Sequence, residues 1–276
     1  MHEKELERMT PGIRTDDEGP IRVLTIDNPS KRNAFSGDMA TTLLTELDRA
    51  DADPTVRAIV VTGANGYFSA GHDLTEVLEN PDTGGDPVAN AAFSRPSEIL
   101  TPVIGAVDGP AYAAGFLLTL NCDLRVATPD ARFCGVGAAI GIVPIAGALS
   151  RLLDLVGYPT AYRWLATAKP FGAEEAERRG YVSSVHRGER ALDGALELAH
   201  SIAAVSPAVV TAIKAGLTHS MRYGVDAGRA AETQLSELVR ALPDGDEGVR
   251  SFLERRAAVF PDVPEGLNAR VLEVLS

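Results

Sequence analysis

Two short stretches hold the residues most able to do chemistry: "YFSAGHDL" (67 to 74) and "AYAAG" (111 to 115). Each follows an apolar run, "AIVVTG" and "PVIGAV", and each leads into a segment with helical spacing. At such strand-to-helix turns the first backbone N–H groups have no partner within the helix and sit at the positive end of its dipole. Small residues let a ligand approach the backbone, so two such loops converging could hold a developing oxyanion. Gly/Ala-rich turns also serve plain close packing, and the pattern alone leaves both readings open. His72 is read first as a backbone donor and second as an imidazole base. Asp73 is read as a helix cap or loop organiser.

Other chemistries lose their signatures. "GANGYFSAG" does not fit the G-x-G-x-x-G dinucleotide fingerprint, and no G-K-S/T follows to make a P-loop. Ser69 lies in G-Y-F-S-A-G rather than G-x-S-x-G, without a convincing histidine and acid as partners. His2, His72, His186, His200 and His219 are scattered, and no pair has ligand spacing, so no metal site is expected. Cys122 and Cys134, the only cysteines, sit in apolar runs and read as small buried hydrophobes, which suits a reducing, cytoplasmic setting.

The elements that must position the two loops follow from periodicity. "IRVLTID" (21 to 27), "RAIVVTG" (57 to 63), "PVIGAV" (102 to 107), "DLRVAT" and "ARFCGV" read as strands, the second as one covered on both faces. Ser36 caps a helix to about Ala50 with Met39, Leu43 and Leu47 on one face. A short helix is expected from about Asp73, and "NPDTGGDPVAN" (80 to 90) begins a segment, to about 98, expected to be mobile. From Pro144 the pattern turns helical over 146 to 156, 158 to 168, 173 to 180, 190 to 204, 207 to 222, 225 to 241 and 246 to 259, with a short strand "YVSSV" between. Alternating strands and helices followed by helices alone predict an α/β fold with a helical C-terminal region. "GVGAAIGIVPIAGAL" (135 to 149) is read as a buried, tightly packed loop and helix start, and Trp164 as helix core or subunit packing.

Bulk properties bound the partners. The 276 residues, 45% apolar, can bury a sizeable core, and a formal net charge of -12 disfavours nucleic acid and anionic membranes. The charged start, "MHEKELERMTPGIRTDDEGP", lacks the apolar core of a signal peptide, and residues 1 to 19 are expected to form a mobile tail. No segment reaches the roughly 18 uninterrupted apolar residues of a membrane span.

Five motifs in register from about residue 21 to 261 resemble the crotonase superfamily, the enoyl-CoA hydratase/isomerase family. "NPSKRNAFS" resembles its N-R-P-x-x-x-N-A-L/F, and "IVVTGANGYFSAGHDL" its V-L-T-G-x-x-x-x-F-S-A-G-x-D-L. "PVIGAVDGPAYAAGFLLTLNCDLRVAT" resembles P-x-I-A-x-V-x-G-x-A-x-G-G-G-x-x-L-x-x-x-C-D-x-x-x-A; "GYVSSV" and "GVRSFLERRAAVF" resemble the later G-L-V-x-x-V and E-G-x-x-A-F-x-E-K-R-x-P-x-F.

The resemblance implies a spiral core of ββα units over 20 to 200 and a helical trimerisation region over 201 to 276, giving a homotrimer or a hexamer of two trimers. It implies an acyl-CoA thioester as partner, with coenzyme A as part of the substrate and no tightly bound cofactor. The thioester oxygen would be held by the backbone N–H groups of His72 and Ala114, the latter a departure from the family's usual glycine. Lys31, Arg32, Ala34, Ala70, Asp73 and Leu74 map to CoA contacts, and Arg255 or Arg256 could meet CoA phosphates, with solvated helix charges the alternative.

The acids that hydration requires are the next test. The resemblance puts the first glutamate at Leu117 and the second at Gly137, and an aspartate or tyrosine used by other branches at Ile145. Leucine, glycine and isoleucine move no protons. A decarboxylating branch shares the histidine of "FSAGHD" but uses a tyrosine at the position of Ile145. Tyr112, Cys134 and Asp108 are the remaining candidates near the site, with pocket wall or core as their plainer roles. Three functions stand: hydrolysis, decarboxylation or isomerisation of an acyl-CoA without the hydratase glutamates, non-catalytic acyl-CoA binding, and standard hydration. The first two rank ahead of the third.

Overall fold

The structure, a computed structural model, describes residues 11–73, 75 and 87–276. Six strands form the main sheet in the order β1 (Gly12–Glu18), β2 (Ile21–Asp27), β3 (Ala58–Gly63), β4 (Val103–Val107), β6 (Leu124–Ala127) and β9 (Ser184–Val185). β1 is antiparallel to β2, and every later pairing in this sheet is parallel. A second sheet has the order β5 (Pro110–Tyr112), β7 (Arg132–Cys134), β8 (Phe171–Gly172).

The near-continuous apolar run of β3 has the physical cause expected of it. Ile59 and Val61 join the core beneath α1 (Gly37–Ala52), whereas Ala58 and Val60 face the opposite cluster with Ile104 and Ala106. Ala191, Ala195 and Ala199 of α8 (Ala191–Ala203) lie in that second cluster, and their small side chains bring the helix close to the sheet. Both faces are therefore dry. Ser36 accepts from the Met39 N–H at 3.2 Å, capping α1 as its sequence predicts.

The remaining helices are α2 (Pro87–Ser94), α3 (Ala114–Asn121), α4 (Gly137–Ile140), α5 (Ser150–Val156), α6 (Tyr158–Thr167), α7 (Ala173–Arg178), α9 (Pro207–Tyr223), α10 (Val225–Arg240), α11 (Pro243–Glu254) and α12 (Leu267–Val274). α9, α10 and α12 bury a separate cluster that includes Ala212, Leu235 and Val271. Lys214 anchors this unit to the core: its ammonium donates to the carbonyls of Pro96 and Thr101, both at 2.9 Å, and to Asp123 at 2.6 Å.

Four expectations are corrected. Residues 12 to 18 are not a tail: β1 pairs along its whole length with β2, from Gly12↔Asp27 to Glu18↔Ile21, and its charged side chains suit an exposed edge. The segment expected to be mobile includes α2 and a 3-10 turn, Arg95–Ser97, over 87 to 97; residues 76 to 86 lie outside the described residues, as does most of the helix expected from Asp73. The apolar stretch at 135 to 149 is exposed over much of its length rather than packed, with Val143 69% accessible in the single chain. The last helices are displaced or were missed, α11 ending at Glu254 and α12 following it. Trp164 is core, stacked on Phe171 at 3.6 Å between ring centroids. Among the described residues no single helix is long and apolar enough to cross a membrane.

Candidate active site

The first loop is shaped by one buried asparagine. Asn33 donates from Nδ2 to the carbonyls of Ala64 (2.8 Å) and Tyr67 (2.7 Å) and accepts from the Asn28 N–H (2.9 Å), so the turn after β3 is stitched to the segment after β2. Phe35 then forms a parallel bridge with His72: the Phe35 N–H donates to the Gly71 carbonyl and the Asp73 N–H to the Phe35 carbonyl, both at 2.8 Å. Such a bridge uses the backbone of residues 71 and 73. The His72 N–H points the other way and meets no acceptor among the described residues.

The second loop is pinned at both ends. The Ala113 N–H donates to the Cys134 carbonyl at 3.0 Å, and its carbonyl accepts from the Leu117 N–H, also at 3.0 Å. Between them Ala113 takes φ 48°, ψ −117°, a conformation that costs a non-glycine residue energy. The turned peptide leaves the N–H of Ala114, first residue of α3, without an acceptor among the described residues.

The loops interlock. Ser69 and Ala111 form a parallel bridge; a Cβ added to Gly115 would lie 2.7 Å from the Ser69 carbonyl oxygen; one added to Gly71 would lie 2.6 Å from the Ala113 methyl and 3.4 Å from the Ala114 nitrogen. The two free amides thus belong to touching loops.

Around them the sequence-derived residues fall as follows. Lys31 pairs with Asp73 at 2.5 Å, and Asp73 also accepts from the Thr75 N–H; burial pushes this carboxyl up, but those bonds prevail and hold it below its ordinary range. Arg32 is exposed, with its guanidinium 5.9 Å from the Tyr67 ring centre. Ala70 is exposed and its N–H donates to the Arg32 carbonyl, Ala34 is buried, and Leu74 lies outside the described residues. His72 is half-buried, its ring edge-on to Phe93 of α2, and burial lowers its pKa from the ordinary 6.5. At neutral pH the imidazole is uncharged.

Tyr112 and Cys134 are cross-strand partners, and burial raises the pKa of both, so neither supplies a thiolate or phenolate. Asp108 accepts from the Ala191 N–H at 2.8 Å, holding the start of α8. Leu117, one turn beyond Ala114, is 8% exposed and part of the main core. Gly137 is buried, and a Cβ there would lie 2.3 Å from the Ile142 carbonyl oxygen and 3.1 Å from Pro144 Cδ. Ile145 projects partly into solvent. Arg255 and Arg256 lie at the end of α11; Arg256 is tied to Glu247 and Glu254, leaving Arg255 without an ion pair among the described residues.

A concavity of about 860 Å³ opens at the carboxyl ends of the parallel strands between Asp27, Asn65, Asp108 and Arg190. It is polar, carries both charge signs and is lined by neither free amide. The touching loops, not this basin, hold the directed donors. No group of three or more His, Cys, Asp or Glu among the described residues is placed to hold a metal.

Residues 16–263 match the enoyl-CoA hydratase/isomerase family. The chain belongs to that family. Its members act on acyl-CoA thioesters. The chain is 35% identical over 246 residues to the 2,3-dehydroadipyl-CoA hydratase of Escherichia coli, covering 87% of this chain and 94% of that one. It is 32% identical to an enoyl-CoA hydratase of Mycobacterium tuberculosis, covering 91% and 96%. The crystal structure of a probable enoyl-CoA hydratase/isomerase from Mycobacterium abscessus superposes with a TM-score of 0.85 at 29% identity, covering 92% of this chain and all of that one. This family member therefore has the α/β core and helical C-terminal region of its solved relatives. Asn33, inside the first motif, went unassigned in the sequence, although a buried asparagine between two turns is a recognisable organiser.

Proposed function

We propose that this protein binds an acyl-CoA thioester with its carbonyl oxygen between the His72 and Ala114 amides and does not rely on the hydratase acid pair. The observation that carries the proposal is the pair of N–H groups, without an acceptor among the described residues, on two interlocked loops. Negative charge arriving on the thioester oxygen is stabilised by donors already in place, and loss of one such donor costs about a hundredfold to a thousandfold in rate.

Hydration needs groups that activate water and protonate the α-carbon. Leu117 and Gly137, where family resemblance puts the two glutamates, offer none, and neither does Ile145, where other branches carry an aspartate or tyrosine. The Gly137 position is also closed to any side chain by the Ile142 carbonyl. Decarboxylation makes the smallest demand on the site. The C–C bonding electrons of a β-carboxylate pass to the α-carbon, CO2 leaves, the enolate oxygen sits between the two amides, and water returns the proton. No base has to remove one. Hydrolysis and isomerisation are the other reactions of this class, and binding without turnover is favoured by the same three apolar positions.

CoA would run past Lys31, Arg32, Ala34, Ala70, Asp73 and Leu74. Arg255 is the better placed of the two C-terminal arginines to meet a phosphate, since Arg256 is already paired. Two apolar faces support a ring of three subunits: Val209, Ile213, Leu217 and Met221 form an exposed stripe on α9, and Leu149 and Leu153 a second patch. Contacts between unlike faces form a ring where the rotation between subunits closes. The two buried, unbridged cysteines fit a cytoplasmic setting.

The test compares an acyl-CoA thioester with the matching thioether, which lacks the carbonyl. The proposal expects the thioester to bind at least tenfold tighter; equal affinities would remove the oxyanion role. Mass spectrometry after incubation with an acyl-CoA that carries a carboxylate on its α-carbon then separates turnover, seen as a shortened acyl-CoA or free CoA, from binding alone.

A further inference from the structure

Asn121 closes α3 and is 2% exposed, a carboxamide in a helix whose every residue is buried. Its Nδ2 donates to the Leu117 carbonyl at 2.9 Å and to the Ala146 carbonyl at 2.8 Å, and its Oδ1 accepts from the Ser97 hydroxyl at 3.0 Å, a proton shared with the Ser94 carbonyl. Two carbonyl oxygens at one end of the amide fix its orientation, because the reversed amide would set oxygen against oxygen twice.

These three contacts tie together three separate segments of the chain. Leu117 belongs to α3, one turn beyond the Ala114 amide. Ser97 ends the segment whose helix α2 carries Phe93, the ring that rests against His72. Ala146 lies in the 141–147 loop, whose Ile142 carbonyl and Pro144 close the space beside Gly137.

Besides the bond from Asn121 to the Ala146 carbonyl, the loop has the Ile142 N–H on the Gly137 carbonyl, the Ala148 N–H on the Ile145 carbonyl, the Arg151 N–H on the Gly147 carbonyl and Ala146 packed against the main core. Ile142, Val143 and Ile145 are exposed, so apolar burial contributes little, and Ala146 adopts φ 51°, the left-handed region that alanine disfavours. A hydrogen bond to a buried amide can decide the position of such a segment, since an unmet buried acceptor is costly.

We infer that Asn121 is a positioning residue that latches the 141–147 loop to α3 and to the 95–97 turn, and so sets the room and the apolar lining available to the acyl chain. The inference rests on the acyl-CoA reading for its consequence, but the latch itself is a property of the chain alone. With the latch intact, Ile142, Val143 and Ile145 stand beside position 137 and can cover an apolar acyl chain longer than a few carbons. With it broken, the loop leaves and the CoA part of the ligand keeps its contacts.

The experiment uses the full chain with Asn121→Ala and Ser97→Ala, measuring binding of octanoyl-CoA, acetyl-CoA and free CoA together with hydrogen exchange. Asn121→Ala is expected to weaken octanoyl-CoA about tenfold, the size of effect that losing one buried hydrogen bond can have, while acetyl-CoA and free CoA stay within twofold. The Ile142 and Ala148 amides, bonded to the Gly137 and Ile145 carbonyls, should exchange faster. Ser97→Ala should shift both readouts the same way by less, and it carries the test if Asn121→Ala does not fold. Unchanged loop exchange in the folded variants would overturn the latch. Faster exchange with an unchanged octanoyl-to-acetyl ratio would overturn its role in acyl selection. If the unaltered chain binds no acyl-CoA, the functional reading falls, and the exchange data still decide the latch.

Discussion

The methyl group of Ala113 stands 2.6 Å from the point where a Cβ on Gly71 would lie. Gly71 carries the carbonyl half of the peptide whose N–H belongs to His72, and Ala113 carries the corresponding half for Ala114. Each of these two amides is therefore set by a residue that touches its counterpart. Gly71 also has φ +109°, so glycine is required there for backbone freedom as well as for space.

Gly71→Ala is accordingly expected to destabilise the protein by at least about 1–3 kcal/mol through backbone strain, with overpacking added, and to weaken thioester binding more than thioether binding. Chemical denaturation and the two affinities check this. A variant of unaltered stability would show that the loops are not in contact.

His72→Ala separates the peptide from the ring. The backbone N–H survives the substitution, so thioester affinity should stay within a few-fold of the parent's. Loss of turnover with folding and binding intact would move the chemistry to the imidazole.

The same histidine makes a pH prediction. Burial depresses its folded-state pKa below the ordinary 6.5, so the unfolded chain binds the proton more readily. Its contribution to stability is present above 6.5 and is lost as pH falls from there toward the folded-state value. An NMR titration should find the His72 midpoint below 6.5, and His72→Ala should flatten the dependence of stability on pH in that window. A midpoint above 6.5 would mean that a carboxylate faces the ring.

Restoring acids should fail. Gly137→Glu places a Cβ 2.3 Å from the Ile142 carbonyl oxygen, and overpacking of this kind typically costs about 1–3 kcal/mol. Leu117→Glu puts a carboxyl into the main core and gives up burial there. The double variant is expected to melt lower than the parent and to show no hydration of an enoyl-CoA. Gained hydration would show that the backbone is still that of a hydratase.

Much of this was legible in the sequence, for identifiable reasons. β3 and β4 were readable because strands covered on both faces are continuously apolar, and the two loops because small residues follow those strands. β1 was hidden because "GIRTDDE" has the charged composition of an exposed edge, and only pairing with β2 makes it a strand. The exposed stretch around Ile142 and Val143 was misread because apolar composition signals burial without saying whether the same chain provides it. Asn121 was invisible as an organiser, since its two carbonyl partners lie 4 and 25 residues away and one belongs to a loop with no periodicity. The strain at Ala113 appears only in its dihedral angles.

The most direct measurement offers crotonyl-CoA to the purified full chain and follows binding and hydration in the same sample. Two amides without the acid pair predict saturable binding of the thioester with hydration no faster than the protein-free control. Robust hydration would contradict this, because working acid and base groups would then lie at positions other than Leu117 and Gly137.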